Sequence, residues 1–454
     1  MDKSTLDHID SNFERYVAEL VSLIRMPSVS ATGQGVRECF THLSGLMEAM
    51  GVDLETFEVD GGNPIIVGEK SGERDDVVLL IYDHYDVQPV EPLDEWVRDP
   101  FSGEVVDGRI HGRGASDSKG NLMAYLSAVN SLEETVGLPI TVKFLFEGDE
   151  EISSPPLEDF VDGHKSELSA DSVVCADGDM DPSGRPMITL GMKGLLYVQL
   201  KCRVGSADMH SSRAALVPSA SWRLVRALNT LRDESGRVTV PGWMEGKLEP
   251  TGVDMELIKK IPFDEDAAKE EMGVDGFLND SHGVEALRDF LYEPTCNIAG
   301  LTAGYQGEGV KTVLPAEASA KLDMRLVYDQ SPRRCLELLR RHLDAGGFSD
   351  VEVIPLGICE PSHTPVDAPI ARAAATAARE VYGTDPVIYP KHHASGPDYL
   401  FSKNLGLHSI WTGCSPAYGN IHAPNEFTGL EDFRLGIRYA VEVINQFCLT
   451  RTSM

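Results

Sequence analysis

Val77 to Ile81 is an unbroken run of valine, leucine and isoleucine that passes through Tyr82 directly into a charged turn, His84-Tyr85-Asp86. A short apolar run without polar alternation is a strand buried in a sheet, and no apolar run in the chain approaches the roughly 18 residues of a membrane span. The neighbouring segments carry the helical period. Ser4 is placed to cap a helix in which Leu6, Ile9, Phe13, Val17, Leu20, Val21 and Ile24 recur at helical spacing and which ends before Pro27. Val36 to Met50 reads as a second helix and Leu54 to Phe57 as extended chain. After the buried strand come a helix (Leu122 to Leu132), an apolar strand (Ile140 to Phe146) and a short strand (Val173 to Cys175). Helix, strand and loop in this rotation point to α/β layering.

From Leu195 the texture changes. A strand (Leu196 to Val204), a helix (Ser219 to Arg232), strands near Asn297 to Leu301 and Ala316 to Leu326, and a helix (Pro332 to Leu343) follow one another. That order suits a compact α+β unit with one antiparallel sheet. A charged, glycine-containing stretch, Pro241 to Glu293, interrupts it and carries no clear pattern. After Ile354 a proline-rich passage leads back into helix and strand patterning from Ile370 onward, so one domain is expected to be interrupted by another. At 454 residues the chain is long enough for two or three units at roughly 100 to 200 residues each.

Charge narrows the partners. With 40 Lys+Arg against 72 Asp+Glu the net charge is −32, which repels nucleic-acid phosphates and anionic lipid surfaces. Neither nucleic acid nor a membrane is expected as a partner. Only 15 of the 40 basic residues are Lys, which fits either adaptation to high salt or an ordinary acidic, soluble protein. The eight cysteines contain no C-x-x-C pair and read as reduced thiols, and no secretory signal precedes the first helix, so a cytoplasmic protein is expected.

The chemistry-bearing residues sit just after apolar strands or in Gly-rich turns. His84 stands in HYD, Asp117 in GRGASDSKG 33 residues later, Glu151 with Glu150 in EGDEE 34 further, Asp177 in CADGD 26 beyond, and His422 in NIHAPNE after another 245. Loops at the C-terminal ends of parallel strands converge at one sheet edge, so such distant positions can meet. Two imidazoles and three carboxylates are what a pair of zinc-class ions would take, one carboxylate shared. Taken singly each element is unremarkable: a lone His after a strand is more often a core or surface residue than a ligand, and paired glutamates are usually a solvated turn.

Together the residues resemble the dinuclear zinc metallopeptidases of the M20 class. The resemblance runs over nearly the whole chain through HYDVQP (84–89), W-x-x-DPF (96–101), DGRIHGRGASDSKGN (107–121), FEGDEEIS (146–153), GMKG (191–194), ADMHSS (207–212) and NIHAPNE (420–426). It implies that His84 binds one metal and His422 the other, with Asp117 bridging, Glu151 and Asp177 each completing a site, and Glu150 as general base. Neighbouring glutamates on an extended backbone would point in different directions, which suits this split of roles. Asp86 would accept a hydrogen bond from the far nitrogen of a metal-bound imidazole. His210 matches a lid histidine that can reach a neighbouring subunit's active site. Arg325 is a candidate for gripping a substrate carboxylate, or else a structural ion pair, and Ser395 and Gly396 stand where a Gly-Ser loop would hold that carboxylate. GYQGEGVKT (304–312) lacks the lysine after its last glycine and is rejected as a phosphate loop; it reads as a loop near the lid.

The fold expected on these grounds is α/β: a mixed, mostly parallel sheet with helices on both faces (1–192 and 363–454), interrupted by an inserted α+β lid and dimerisation domain (193–362). The expected activity is cleavage of dipeptides or short peptides with a free C-terminal carboxylate, using two divalent ions, zinc first with manganese or cobalt as options, in a homodimer. Removal of the acyl or succinyl group from an N-acyl amino acid is the alternative. A metal-free peptide-binding relative is the remote one, weakened by the intact ligand set.

Overall fold

The computed structural model describes residues 1–452. The apolar run Val77 to Ile81 belongs to a strand over Arg74–His84 that lies inside an eight-stranded sheet. Across that sheet the order is Asp53–Phe57, Ile65–Lys70, Ile140–Glu147, Arg74–His84, Ser172–Cys175, His408–Trp411, Met187–Thr189 and Val387–Tyr389. The four strands from Ile140–Glu147 to His408–Trp411 run parallel, while the first two strands pair antiparallel.

Alternation along the central strand sends its side chains to two cores, as the two-residue period requires. Leu79 and Ile81 pack with helices Lys3–Ile24, Lys119–Glu133, Pro369–Tyr382 and Leu430–Thr452, whereas Leu80 and Tyr82 face the opposite core with helix Leu157–Gly163 and the turn Leu400–Asn404. Helices on both faces are what a strand apolar on both sides demands. No helix among the described residues is long and apolar enough to cross a membrane.

A second, four-stranded sheet is wholly antiparallel, ordered Asn297–Ala303, Glu317–Leu326, Gly194–Arg203, Val351–Cys359. Helices Ala220–Leu228 and Pro332–Ala345 cover one face of it around Leu196, Val198, Leu322, Leu339 and the fully buried Trp243. Both helices are amphipathic and begin at a serine, Ser219 or Ser331, that accepts from a backbone N–H of the first turn.

Three expectations change. The first helix is capped by Asp2, whose carboxylate accepts from the Ser4 amide, so Ser4 lies inside the helix. The helix expected to reach Arg232 ends at Leu228, because Leu231 turns back to accept from the Thr239 amide. The unpatterned stretch is helical: Gly252–Ile258, Glu265–Met272 and Gly283–Tyr292. Ile258, Ile261, Leu287, Leu291 and Tyr292 of this stretch pack on Val387 of the sheet's last strand, covering an edge that would otherwise be open. The loop 304–312 lies exposed between strands Asn297–Ala303 and Val313–Leu314, with no helix following it.

Candidate active site

His84 is the last residue of its strand and Glu147 the last of the parallel neighbour, and the two are register partners. The turn after each strand therefore opens on the same edge of the sheet. Gly148 lets the second turn come close, since a Cβ there would lie 2.5 Å from the Tyr85 hydroxyl of the first. Asp177 follows the next parallel strand, Ser172–Cys175, by two residues.

Two further loops complete the site from the side. Strand Phe427–Gly429 pairs with Arg109–His111, which holds the loop ending in His422 against the loop ending in Asp117. Glu426 locks them together. Its buried carboxylate accepts from the Arg113 guanidinium at 2.7 Å and from the backbone amides of Gly114, Ser116 and Asp117 at 3.1, 2.9 and 3.1 Å. Asn425 ties the same loop to Val97 and Glu95.

Asp117 stands at the centre. Its Oδ1 is 3.1 Å from His84 Nε2 and its Oδ2 is 2.8 Å from His422 Nε2. Asp177 Oδ2 lies 3.8 Å from the same His84 nitrogen, and Glu151 Oε2 lies 3.2 Å from His422 Nε2. His84 turns its other nitrogen to Asp86, 3.1 Å from the backbone carbonyl and 3.3 Å from the carboxylate. Asp86 also accepts from the backbone amides of Glu150 and Glu151, at 3.2 and 3.1 Å, so one buried carboxylate orients the imidazole and both glutamates. Gln88 fixes Glu151 by donating both its backbone amide and its side-chain amide.

The two glutamates lie in a 3-10 turn, Glu150–Ile152, and not on extended chain. Their divergence comes from the turn and its partners: Glu151 reaches Gln88 and His422, while Glu150 faces the charges of His84, Asp177 and Asp117. Burial pushes the Glu150 carboxyl well above the ordinary range, against the pull of His84, with Asp177, Asp117 and Glu151 adding to the rise. Burial and the Asp117 charge likewise raise Asp177 to about 7. His422, which is half exposed, is raised to about 10 by its contacts with Asp117 and Glu151.

These side chains form two groups of three, His84-Asp117-Asp177 and Asp117-Glu151-His422, with the candidate ligand atoms of each group within 4.8 Å of one another. The donor set fits two divalent cations. Imidazole and carboxylate suit such ions, Asp117 presents one oxygen to each group, and a concentration of carboxylates short of positive charge is what the ions would relieve.

Other expected residues lie apart from the cluster. Arg325, on strand Glu317–Leu326, donates Nη1 to Ser395 Oγ at 2.9 Å and pairs with Asp323 at 3.2 Å. Ser395 Oγ in turn donates to the Gly194 carbonyl at 3.1 Å, and Gly396 packs against Met192, whose sulfur a Cβ would meet at 2.9 Å. His210 is exposed on the inserted unit, its ring against Ser212 and Thr312, with no contact to the cluster among the described residues.

Arg113, Glu426 and Gln88 are additions that reading the sequence missed, although the quoted motifs contain all three. Substituting Glu426→Gln is expected to cost about 3–5 kcal/mol of stability, because it leaves Arg113 buried without its partner. It should also weaken divalent-ion affinity about 10–100-fold through the loosened Asp117 loop. Denaturant unfolding and chelator competition check the two effects.

A family model described as peptidase family M20/M25/M40 matches residues 80–446. The chain is similar to the Cys-Gly metallodipeptidase dug1 of Schizosaccharomyces pombe, 27% identical over 95% of each chain. It is similar as well to the Beta-Ala-His dipeptidase of Rattus norvegicus, 30% identical over 74% of this chain and 71% of that one. Among solved structures, the M20 family metallo-carboxypeptidase Sso-CP2 from Sulfolobus solfataricus superposes with a TM-score of 0.91 at 38% identity, covering 99% of this chain and 100% of that chain.

Proposed function

This chain belongs to peptidase family M20/M25/M40, and on that footing we propose that it is a metal-dependent hydrolase cleaving the amide bond of dipeptides or short peptides with a free C-terminal carboxylate. The observation that carries the reading is Asp117, whose two oxygens each face a different histidine. In this reading His84, Asp117 and Asp177 hold one divalent ion, and Asp117, Glu151 and His422 the other. Zinc is the first choice, with manganese and cobalt compatible with the same ligands. When bound, the ions supply positive charge that lowers the pKa of a water and polarises the carbonyl.

The protein's own groups do the rest. Glu150, held by Asp86 through its backbone amide, takes the proton that the attacking water loses and delivers it to the leaving nitrogen. Asp86 keeps His84 in the tautomer that presents Nε2 to the cluster. Arg325 and Ser395 bind the substrate carboxylate, with Gly396 leaving the loop free to approach it.

Residues 1–192 and 363–454 form the catalytic domain in this proposal, and 193–362 the lid and dimerisation domain. A homodimer is supported by strand Asn297–Ala303, which pairs on one side only and exposes Ile298 and Leu301, and by the exposed Trp222 of helix Ala220–Leu228. His210, outside its own chain's cluster, would then serve the partner's site. Trp222→Glu is expected to give a monomer by light scattering with reduced turnover; a fully active monomer contradicts a shared site. A reducing, cytoplasmic setting is part of the same proposal, supported by the eight free cysteines.

The test is a matched panel of dipeptides against N-acetyl and N-succinyl amino acids with added zinc or manganese. Dipeptide cleavage is the expected result. Cleavage of the acylated amino acids alone would move the protein to the deacylases, and silence on both would leave a binding protein.

A further inference from the structure

The helices of the insertion do more than cover a sheet edge. Helix Gly283–Tyr292 ends beside the candidate carboxylate grip, where buried Lys193 donates Nζ to the carbonyls of Phe290 and Glu293 at 2.8 and 2.7 Å. The next residue, Gly194, accepts from Ser395, which accepts from Arg325. Direct hydrogen bonds and one step of backbone therefore connect the last turn of the helix to the Arg325–Ser395 pair. A helix C-terminus is a favourable place for the Lys193 cation, so the attachment is specific and not incidental.

On this frame the Phe290 ring, 48% exposed, stacks on the exposed imidazole of His393 with centroids 4.6 Å apart and planes at 23°. His393 in turn rests against His392 at 4.3 Å, and stands two residues before Ser395. A lone exposed phenylalanine has no special meaning. This one is anchored through its own carbonyl, paired face to face, and fixed next to the groups that would hold a terminal carboxylate. Desolvation of the ring within the stack, with the charges of Lys193 and Arg325, keeps His393 below its ordinary pKa, so the stack is uncharged at neutral pH. It presents a flat, neutral aromatic surface in an otherwise strongly acidic protein.

We propose that the Phe290–His393 stack is the wall that receives the C-terminal side chain of the substrate and selects large apolar or aromatic residues over glycine at that position. The inference rests on the reading of Arg325 and Ser395 as the carboxylate grip. A side chain one carbon from that carboxylate must lie beside the Ser395 loop, and the stack flanks it there. Apolar pockets discriminate by about 10- to 200-fold when a group is added or removed, which sets the scale.

The experiment measures kcat/KM for two series on the metal-loaded full chain: Ala-Gly, Ala-Leu and Ala-Phe, and the N-acetyl derivatives of Gly, Leu and Phe. In the wild type, Phe should exceed Gly in whichever series is cleaved. Phe290→Ala and His393→Ala are each expected to lower the Phe-to-Gly ratio about tenfold, while Phe290→Tyr, which keeps the ring, holds it within about twofold. A wild type without preference, or a ratio that survives both alanine variants, overturns the proposal. So does a tyrosine variant that loses the ratio as alanine does. Arg325→Lys separates the underlying reading: it should lower kcat/KM for every substrate while keeping the ratio. An Arg325→Lys enzyme with unchanged kcat/KM removes the carboxylate grip on which the wall depends. No turnover in either series contradicts the hydrolase reading itself.

Discussion

Asp117→Ala should lose both divalent ions together and reduce hydrolysis by more than about 10³-fold. The expectation follows from geometry, because Asp117 is the only residue common to both ligand groups. Its Oδ1 faces His84 and its Oδ2 faces His422, so one substitution removes a ligand from each side. Without the ions a water keeps its high pKa, which accounts for the size of the loss. By contrast, His422→Ala touches only one group, and ion content should fall from two per chain toward one. Elemental analysis of the purified variants distinguishes these outcomes. An Asp117→Ala chain that still holds two ions would remove the bridging role.

Glu150→Ala should behave in the opposite way. Glu150 belongs to neither group of three, yet it sits inside the same buried field of His84, Asp117 and Asp177. Two ions per chain should remain, while kcat falls by about 10²–10⁴-fold, the range that a positioned general base supplies. The KM should move far less than kcat, since the variant leaves Arg325 and Ser395 in place. Near-normal turnover would sink the assignment of the base. Asp86 links the two classes of effect, because it orients the His84 ring and the backbone of both glutamates at once.

Much of this arrangement was legible in the chain because local marks coincide with it. His84 and Asp177 each follow an apolar run that had to be a strand, and strand-end loops of a parallel sheet converge. Asp117 and the glutamates stand in glycine turns, and His422 in a distinctive loop. Glu426 carries no such mark. Its partners Arg113 and the amides of Gly114, Ser116 and Asp117 are more than 300 positions away, and only the pairing of strand Phe427–Gly429 with Arg109–His111 brings them together. The insertion was illegible for a different reason. Helix Glu265–Met272 has no buried residue, and its neighbours owe their burial to Val387 on a distant strand. Periodicity cannot reveal a face whose partner is supplied by tertiary packing. The 3-10 turn at Glu150 was missed because two adjacent acids look the same on extended and turned backbone.

The family membership gives these assignments a common frame, and the similarity to dipeptidases and to a metallo-carboxypeptidase directs attention to the substrate's C-terminal end. In the proposed reading that end would be bound by Arg325 and Ser395, next to the last turn of helix Gly283–Tyr292.

In the proposed reading the His84–His422 cluster works with two divalent ions. It is tested most directly by stripping the full chain with a chelator and titrating zinc or manganese back while following dipeptide hydrolysis. No hydrolysis is expected in the stripped protein, with recovery complete at two ions per chain. Full hydrolysis by the metal-free chain, or recovery unrelated to ions bound at this cluster, would contradict it.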